Sequence, residues 1–580
     1  MATSIKKNNR QAPGDPIAAE IGTIRKSGPH RLRVALVYPN RYSVGMSNLG
    51  FQVVYRLLNR IDGIICERAF LPDGKALAEI RITSVESGRP LTDFDIIAFS
   101  VSFENDYPNI LAVLATAGLP LQSRDRRDAH PLVIAGGVAC FLNPEPLAPF
   151  IDCFLIGEAE VMLEGFCDCL QDCGFPGLRD RRQLLGACAR RVQGVYAPQF
   201  YRPVYGETGS LAAVELLADV PAKIDRTYLA DLSQAPTCSV VVTPHTAFDR
   251  TFLIEVGRGC PHGCRFCSAG FVYRPPRYRP LSLLQACLQQ GAAVTDRIGL
   301  VGAAVSDLPE LKELCRRAGA DDIRLSFSSL RADALDDELV AVLRRSRVKT
   351  ATIAPDAGSE RMRQVINKGI DEAAILKAAA LLVDGGVPNI KLYFMIGLPT
   401  ETADDVEAIV GLCKKIKHVF LSRSRGQKRI GEMTVSLSCF VPKPATPFQW
   451  AAMDDVSTLK KKIRTVKEGL RKVPNIRVHA DVPRWAYVQA LLSRGDRRVA
   501  DLLILANKNR QNWPQSLKET PLNADFFVVR SRPLDEVLPW DFIDHGVKKS
   551  FLAGEYRKAL AGQPSPACPM ADCLRCGICR

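Results

Sequence analysis

Two successive series of alternating apolar strand and helix segments constrain the fold of this chain more than any other feature. The first series begins with the continuous apolar run LRVALVYP at 32–39 and continues with strand segments at 94–102, 131–138 and 153–158. Apolar residues at helical spacing fill the intervals, as in SNLGFQVVYRLLNR at 47–60. Because strands that alternate with helices are joined by right-handed crossovers, this series predicts a doubly wound parallel sheet.

The second series predicts a barrel. Its strand segments lie at 251–259, 297–302, 324–330, 350–356, 389–397 and 432–441, with helical segments between them. Six βα units are too few for a closed eight-stranded barrel, so we expect a partial, open (β/α)6 barrel. The active site of such a fold lies at the C-terminal ends of the strands.

The predicted fold class is therefore α/β, with an N-terminal doubly wound sheet, a partial barrel and a smaller cysteine-containing C-terminal region. A chain of 580 residues is long enough for several domains. The pattern predicts a flexible tail, an α/β domain, a connector with short strands, the barrel domain and the C-terminal region, at 1–30, 31–175, 176–245, 246–480 and 481–580.

Bulk composition bounds the cellular setting. The N-terminal residues lack the apolar stretch of a secretory signal, and the longest apolar run is too short to span a bilayer. We therefore expect a cytoplasmic protein without a membrane partner. The 19 cysteines do not indicate a secreted disulfide framework, and most are scattered singly, as buried small apolar residues are.

A basic segment raises the question of a nucleic-acid partner. The chain carries a net charge of +15, and LKKKIRTVKEGLRK holds seven basic residues and one acid between 460 and 472. Apolar residues at helical spacing predict an amphipathic helix with a basic outer face. A solvated helix surface is one interpretation, and a patch for RNA is the other.

Three cysteines in EVGRGCPHGCRFCSAG follow directly after the first barrel strand. Cys260, Cys264 and Cys267 have the spacing C-x3-C-x2-C. Thiolates this dense suit zinc, an iron–sulfur cluster or redox chemistry. Zinc needs a fourth ligand, and His262 is too close in sequence to chelate easily. A 4Fe-4S cluster held by three cysteines leaves one iron free to bind a substrate or cofactor.

This loop and several later stretches resemble the radical S-adenosylmethionine (SAM) superfamily. Phe266, just before the third cysteine, fits the resemblance, as do SSLRAD, TIAPDAGSERMRQVINKG, KLYFMIGLPTET and CFVPKPATPFQW. The resemblance covers roughly residues 32–490 and is strongest to the subgroup with an N-terminal cobalamin-binding-type domain. It implies that the three cysteines bind three irons of a 4Fe-4S cluster and that SAM chelates the fourth. Reduction by flavodoxin or ferredoxin then yields methionine and a 5′-deoxyadenosyl radical.

The resemblance also implies SAM-binding residues at the strand ends. The Gly-Gly-Glu motif of many members is replaced here by GLVGAAVSD, so Ser306 or Asp307 must substitute for its acid. Ser328 and Arg331 are candidates for the SAM carboxylate, Asp356 and Ser359 for the ribose or methionine, and Gly397 for close approach of the adenine. Each of these residues has a turn or helix cap as its alternative interpretation.

The N-terminal domain departs from the cobalamin-binding pattern at one position. The family motif D-x-H-x-x-G supplies a cobalt-ligating histidine, whereas this chain has Asn40 and Tyr42 in the Asp and His positions. Other residues of the cobalamin-binding pattern are present after later strands: Ser100, Ser102, Gly136 and Gly137. Either cobalamin binds without a protein histidine, or the domain kept the fold and lost the cofactor.

A second cysteine group ends the chain. Cys568, Cys573, Cys576 and Cys579 have the spacing C-x4-C-x2-C-x2-C, which suits a second iron–sulfur cluster or zinc, with a redox dithiol as a third option. A second cluster would bind substrate or relay electrons, and the spacing does not choose between these roles.

Three functions are therefore weighed. The leading hypothesis is a radical SAM enzyme that carries out cobalamin-dependent methyl transfer to an unidentified substrate. The first alternative is a cobalamin-free, methylthiotransferase-like enzyme that modifies RNA. The second is an iron–sulfur electron-transfer or binding protein that does not cleave SAM.

Overall fold

The computed structural model describes residues 16–26, 32–73, 81–177, 180–328, 330–424, 431–571 and 573–579. The predicted N-terminal tail lies mostly outside these residues. The domain boundaries stay predictions.

A six-stranded sheet forms the N-terminal part of the fold. Its strands are β1 (Leu32–Arg41), β2 (Ile64–Leu71), β3 (Ile96–Ser100), β4 (Leu132–Gly136), β5 (Cys153–Leu155) and β6 (Val195–Tyr196). The accompanying helices are α1 (Tyr42–Gly45), α2 (Leu49–Arg60), α3 (Tyr107–Thr116), α4 (Val138–Leu142), α5 (Ala159–Asp172) and α6 (Arg181–Arg191). The spatial order is β2-β1-β3-β4-β5-β6, and only β6 runs antiparallel to its neighbour.

This order places a topological switch point between β1 and β3. From β1 the chain moves outward to β2 in one direction and to β3 and β4 in the other. Crossovers on either side leave a crevice at the carboxyl ends of these strands, where doubly wound sheets bind ligands. Val34 to Tyr38 are all buried, as expected of a strand covered on both faces.

Short strands in two-stranded pairs follow the first sheet, one pair antiparallel and one parallel. β7 (Tyr201–Tyr205) and β8 (Leu211–Leu216) form a hairpin, and β9 (Ile224–Asp225) pairs with a strand near the C-terminus. The connector thus contains the predicted short strands, but it also holds α6, which the sequence pattern did not predict.

The second series folds into a parallel barrel-like arrangement. Its strands are β10 (Phe252–Glu255), β11 (Gly257–Arg258), β12 (Arg277–Tyr278), β13 (Arg297–Val301), β14 (Arg324–Phe327), β15 (Thr350–Asp356), β16 (Asn389–Ile396), β17 (Met433–Cys439) and β18 (Ile476–Ala480). Its helices are α7 (Leu281–Ala292), α8 (Leu311–Ala320), α9 (Asp337–Arg345), α10 (Glu360–Val365), α11 (Glu372–Asp384), α12 (Ala403–Arg423) and α13 (Val456–Leu470).

The barrel strands join in two parallel groups, β10-β13-β14 and β15-β16-β17-β18. β18 extends the six predicted strands by one. Along β16 every second residue is buried and the others are half-buried. This alternation indicates that one strand face packs against helices while the other faces a more open interior. The predicted fold class, a doubly wound sheet followed by a partial barrel, is confirmed.

The C-terminal region packs back onto the rest of the chain. It contains α14 (Pro483–Arg494), α15 (Val499–Lys508), α16 (Trp513–Glu519), α17 (Ala524–Val528), β19 (Ile543–Asp544) and α18 (Lys549–Leu560). β19 pairs with β9, and α18 contacts α10 beside the cysteine triplet. Within the described ranges, no helix is both long enough and apolar enough to cross a bilayer.

Candidate active site

The cysteine triplet lies in a loop that a small hairpin encloses at the mouth of the barrel. β11 and β12 pair antiparallel, and the loop between them carries all three cysteines. Gly259, just before the first cysteine, has φ +81°, and a Cβ atom there would lie 2.6 Å from the carbonyl oxygen of Tyr273. The tight entry to the loop therefore requires glycine.

The three thiols lie close enough to influence one another. Burial raises the pKa of Cys260 to about 12 and that of Cys264 to about 11, and it also raises the pKa of Cys267. Mutual repulsion of the thiolates adds to this effect at Cys260 and Cys264. A bound metal would supply the positive charge that these thiolates require.

The three cysteines of the loop suit an iron–sulfur cluster by their chemistry. In a 4Fe-4S cluster each cysteine binds a different iron, so three thiols leave one iron open. A zinc site would need a further ligand around a single ion. His262, the histidine within the loop, is hydrogen-bonded to Asp307.

Arg265 fixes this loop to the C-terminal region. Its side chain is fully buried and donates to the carboxylate of Glu555 at 3.1–3.2 Å. It also donates to the carbonyl oxygens of Gln364, Val365 and Gln563. The planar guanidinium of arginine carries five N–H donors, which suit such a set of acceptors. Arg265, which lies between Cys264 and Cys267, therefore fixes the position of the loop.

His262 takes part in a hydrogen bond rather than standing ready as a ligand. Its Nε2 lies 2.8 Å from Oδ1 of Asp307, which follows β13. Oδ2 of Asp307 is buried and has no hydrogen-bond partner among the described residues. A buried acceptor of this kind is costly unless a ligand satisfies it. The structure thus places an open acceptor close to His262 of the cysteine loop. A role of Asp307 in place of the family's acid stays a prediction.

Lys368, which was not predicted as a site residue, lies close to Cys264. Its Nζ is 2.6 Å from Oδ2 of Asp356, and both side chains are nearly buried. Burial lowers the pKa of Lys368, but the charges of Asp356 and Cys264 outweigh burial and hold that pKa above its usual value. Asn367 and Gly369 both have positive φ, so the INKG stretch turns sharply and returns the lysine toward the cysteines.

The third strand end contributes Arg331, as predicted. Its guanidinium pairs with Asp333 at 2.8 Å and donates to the carbonyl oxygen of Lys368. Ser306 Oγ lies 3.5 Å from the backbone nitrogen of Arg331, and Ser328 donates to the carbonyl oxygen of Gly302. Ser306, Ser328 and Arg331 therefore lie at one rim of the barrel, and Lys368 lies beside them.

Two predicted SAM residues have local structural roles. Ser359 is the N-cap of α10, where its Oγ accepts from the backbone nitrogen of Met362 and donates to Asp405 at 2.6 Å. Gly397 has φ +85°, and a Cβ there would lie 2.7 Å from the Leu459 side chain. The helix cap and the backbone turn were their alternative interpretations, and the structure contains both features.

Phe266 points away from solvent. It is partly buried and packs against an apolar cluster that includes Ala357 and Met362. Asp356, the remaining candidate, has φ +61° and ends β15 beside Lys368. The strained backbone at Asp356 directs its carboxylate toward the lysine.

A large cavity joins the first sheet to the barrel. Its volume is about 510 Å³, the size of a small-molecule or cofactor site. Ser100, Ser102, Gly136 and Gly137 line it at the carboxyl edge of the sheet. It continues as an apolar slot between α2 and α5, and its other end reaches residues 257–259 and 301–303 of the barrel.

The two adjacent glycines in this cavity have different reasons for being glycine. A Cβ on Gly137 would lie 2.4 Å from the carbonyl oxygen of Val101, and its φ is +108°. A Cβ on Gly136 would meet nothing closer than 3.5 Å. Backbone packing therefore dictates Gly137, whereas the missing side chain of Gly136 leaves space in the cavity.

Tyr42 lies elsewhere. It is not among the described residues that line the cavity, and its hydroxyl donates to Glu20, which in turn pairs with the buried Arg68 at 2.7 Å. Burial, reinforced by the Glu20 hydrogen bond, raises the pKa of Tyr42. This residue forms part of a buried ion-pair cluster under β1 and β2.

A buried ion-pair network forms the floor between the two domains. Arg258 of the barrel donates to Glu158 at 2.7 Å and to Glu160 at 2.6 Å, both at the start of α5. It also contacts Glu255 at 3.0 Å. All four side chains line the cavity, so the network ties the domains together where the cavity crosses between them.

The basic segment forms α13, as predicted. Leu459, Ile463, Val466 and Leu470 are buried on its inner face. Lys462 pairs with Glu401 at 2.9 Å and Asp454 at 2.7 Å, so this lysine is used within the fold. RNA binding by this surface stays a prediction.

The fold and the loop together define a class of protein. It is an α/β protein whose barrel mouth presents three thiols suited to an iron–sulfur cluster, with cationic groups and an open carboxylate oxygen beside them. Comparison with known proteins supports this description.

Family models described as "Radical SAM proteins, N-terminal" and "Radical SAM superfamily" match residues 50–198 and 254–413. An uncharacterized protein of Methanocaldococcus jannaschii is 31% identical over 532 residues, covering 90% of this chain and 98% of that protein. A tRNA-2-methylthio-N(6)-dimethylallyladenosine synthase of Porphyromonas gingivalis is 24% identical over 181 residues, 28% of this chain and 39% of that protein.

Two solved structures show a distant likeness to this chain. The radical SAM methyltransferase TsrM of Kitasatospora setae, with cobalamin and a [4Fe-4S] cluster bound, has a TM-score of 0.43 at 16% identity, covering 70% of this chain and 74% of that chain. The cobalamin-dependent SAM radical enzyme OxsB has a TM-score of 0.41 at 16% identity, covering 66% of this chain and 52% of that chain.

This chain belongs to the radical SAM superfamily, and it is a radical SAM enzyme. Membership implies a 4Fe-4S cluster, SAM and an external reductant. The prediction of an enzyme is confirmed, which disfavours the alternative of an iron–sulfur electron-transfer or binding protein that does not cleave SAM.

Proposed function

We propose that the chain binds a 4Fe-4S cluster through Cys260, Cys264 and Cys267, cleaves SAM reductively, and transfers a methyl group from a corrinoid bound in the interdomain cavity. When bound, the cluster supplies the electron that splits SAM into methionine and a 5′-deoxyadenosyl radical. The reductant is a flavodoxin or ferredoxin.

The chain's own groups fit the two ends of the amino-acid part of SAM. Lys368 and Arg331 present positive charge beside the cluster loop, as a carboxylate requires. One buried oxygen of Asp307 has no hydrogen-bond partner among the described residues, as an ammonium group requires. These groups orient SAM, and the buried loop excludes water from it.

The observation that carries the corrinoid proposal is the continuity of the cavity. One end lies at the carboxyl edge of the first sheet beside Gly136, and the other lies at residues 257–259, next to the cysteine loop. The slot between α2 and α5 is apolar and suits the heterocyclic tail of a corrinoid. A cofactor in this position would face the SAM site directly.

The absence of a histidine in the lining shapes the proposal. The described residues that line the cavity include none, and Tyr42 is engaged with Glu20. We therefore expect that no histidine of this chain would ligate a bound corrinoid. Electron paramagnetic resonance of the Co(II) form tests this expectation: labelling the histidines with ¹⁵N should leave any nitrogen splitting of the cobalt signal unchanged, and an altered splitting would contradict it.

The cavity itself is tested by filling it. Gly136→Val places a side chain where a Cβ meets no close neighbour, so the fold tolerates it but the cavity shrinks. Gly165→Val on the exposed face of α5 is the matched control, because a Cβ there meets nothing within 4 Å. Both proteins are purified anaerobically with cobalamin, and retained corrinoid is measured by absorbance beside the iron content.

The wild type and Gly165→Val should retain corrinoid in near-equal molar amount, and Gly136→Val should lose it while keeping its iron. A wild-type protein with iron but no corrinoid would rule out methyl transfer from cobalamin. The first sheet would then serve as a scaffold. That result would favour the alternative of an enzyme that modifies RNA, which the partial match to the tRNA-modifying enzyme supports.

A further inference from the structure

The four C-terminal cysteines surround a cavity of their own, beside the triplet loop. This cavity has a volume of about 490 Å³, and Cys568, Cys573, Cys576 and Cys579 all line it. Gly263, which lies between two cysteines of the triplet, lines it as well. The two cysteine groups therefore share a wall, although more than 300 residues separate them in sequence.

The C-terminal thiols are gathered into one site. The pKa of Cys579 is raised, first by burial and then by repulsion from the thiolates of the other three cysteines. Among the described residues that line the cavity, three side chains are basic, Arg274, Lys558 and Arg575, and one is acidic, Glu555. The excess positive charge suits an anionic group such as a thiolate-ligated cluster.

The spacing favours a 4Fe-4S cluster over zinc. The run C-x2-C-x2-C at 573–579 is the arrangement by which bacterial ferredoxins supply three ligands, and their remaining ligand is a distant cysteine followed by proline. Here Cys568 is followed by Pro569.

Direct hydrogen bonds attach this site to the triplet loop. The backbone nitrogen of Cys568 donates to the carbonyl oxygen of Pro261 at 2.7 Å, and Pro261 follows Cys260 in the chain. Standard backbone dimensions then place the Cα atoms of Cys260 and Cys568 no more than about 11 Å apart. A second route runs through Asn367, which accepts from Ser565 at 2.8 Å and donates to Gly263 at 3.2 Å.

We propose that Cys568, Cys573, Cys576 and Cys579 hold a second 4Fe-4S cluster that passes electrons to the cluster of the triplet. The proposal rests on the proposed role of the triplet as a cluster site. Four protein ligands leave no open iron, so the second cluster has no position for a substrate. Its place against the outer side of the triplet loop makes it an entry point for electrons.

The proposed relay conserves electrons. One electron from a flavodoxin- or ferredoxin-class protein reduces the C-terminal cluster by one unit. The same electron then moves to the cluster of the triplet, which returns the C-terminal cluster to its starting state. No bond forms or breaks in the relay, and no proton moves.

Two variants separate the clusters experimentally. Cys576→Ser with Cys579→Ser removes ligands of the C-terminal site, and Cys264→Ala with Cys267→Ala removes ligands of the triplet. Cys173→Ser, a half-buried cysteine of the first domain, is the control. Iron, sulfide and zinc are counted after anaerobic reconstitution, and the reduced proteins are examined by electron paramagnetic resonance with and without SAM.

The control should hold roughly eight iron atoms per chain and each double variant roughly four. SAM should change the spectrum of the C-terminal variant and leave that of the triplet variant unchanged. With dithionite, the C-terminal variant should still cleave SAM, whereas cleavage driven by flavodoxin should be lost.

Zinc in place of iron in the triplet variant would overturn the second cluster, and so would the absence of both metals. Flavodoxin-driven cleavage at the wild-type rate in the C-terminal variant would overturn the relay. If the wild type cleaves no SAM but the triplet variant keeps its iron and its spectrum, the proposed function fails and the second cluster stands.

Discussion

Replacing Arg265 with methionine tests whether one buried side chain holds the cysteine loop and the C-terminal region together. The change removes a fully buried guanidinium and leaves Oε2 of Glu555 without its donor. It also removes the donor for three backbone carbonyl oxygens. Methionine fills much of the same space, so the lost interactions dominate over any cavity.

The expected magnitude follows from these contacts. Breaking a buried ion pair costs about 3–5 kcal/mol. Oε1 of Glu555 keeps Lys558 at 2.9 Å and Ser565 at 2.8 Å, so we take the lower end, about 3 kcal/mol. About 1.4 kcal/mol changes an equilibrium constant tenfold, so the opening equilibrium of α18 should rise by about 100-fold.

Hydrogen exchange followed by mass spectrometry measures this opening locally, without assuming that so large a chain unfolds in one step. Peptides that cover α18 should exchange about 100-fold faster in Arg265→Met. Arg557→Met is the control, because Arg557 is exposed on the same helix and such changes are worth less than about 0.5 kcal/mol. Equal exchange of α18 in the two variants would refute the reasoning.

Two further predictions follow from single buried groups. Lys368→Met should weaken SAM binding by about 10- to 100-fold without loss of iron, because it removes a charged hydrogen bond. Calorimetric titration of the reconstituted protein with SAM measures the Kd, and an unchanged Kd would contradict the proposed contact between Lys368 and SAM. Burial, aided by the charge of Arg226, lowers the pKa of His545 to about 3 from an ordinary 6.5. Between pH 6.5 and 3, His545 is protonated in the unfolded chain but not in the folded chain. The free energy of unfolding should therefore fall as pH drops through this range. His545→Gln should flatten that decline in urea unfolding midpoints, and an unaltered pH profile would count against it.

The strands that the sequence predicted share long apolar runs. β1, β3 and β4 lie within a buried parallel sheet, and such strands are continuous stretches of Val, Ile, Leu and Ala. β2 was missed because its sequence, IICERAFL, contains two charged residues in its middle. Arg68 is nevertheless fully buried, since Glu20 and Glu86 pair with it from distant parts of the chain. No local pattern reveals partners of that kind.

In the candidate site, too, local sequence patterns were predictable and contacts between distant parts of the chain were not. The cysteine spacing indicated a site for zinc, an iron–sulfur cluster or redox chemistry, and the resemblance to the radical SAM superfamily narrowed this prediction to a 4Fe-4S cluster. Lys368 was missed although INKG was noted, because its place beside Cys264 depends on a turn with two positive-φ residues. The cavity between the domains was also out of reach of the sequence, since it depends on how α2, α5 and the barrel pack together.

Formation of 5′-deoxyadenosine from SAM tests the central claim most directly. The anaerobically reconstituted wild-type protein is incubated with SAM and dithionite, and the products are quantified by liquid chromatography with mass spectrometry. The account predicts methionine and 5′-deoxyadenosine in equal amounts, and neither product from Cys264→Ala. A wild-type protein with an intact cluster and bound SAM that forms neither product would contradict it.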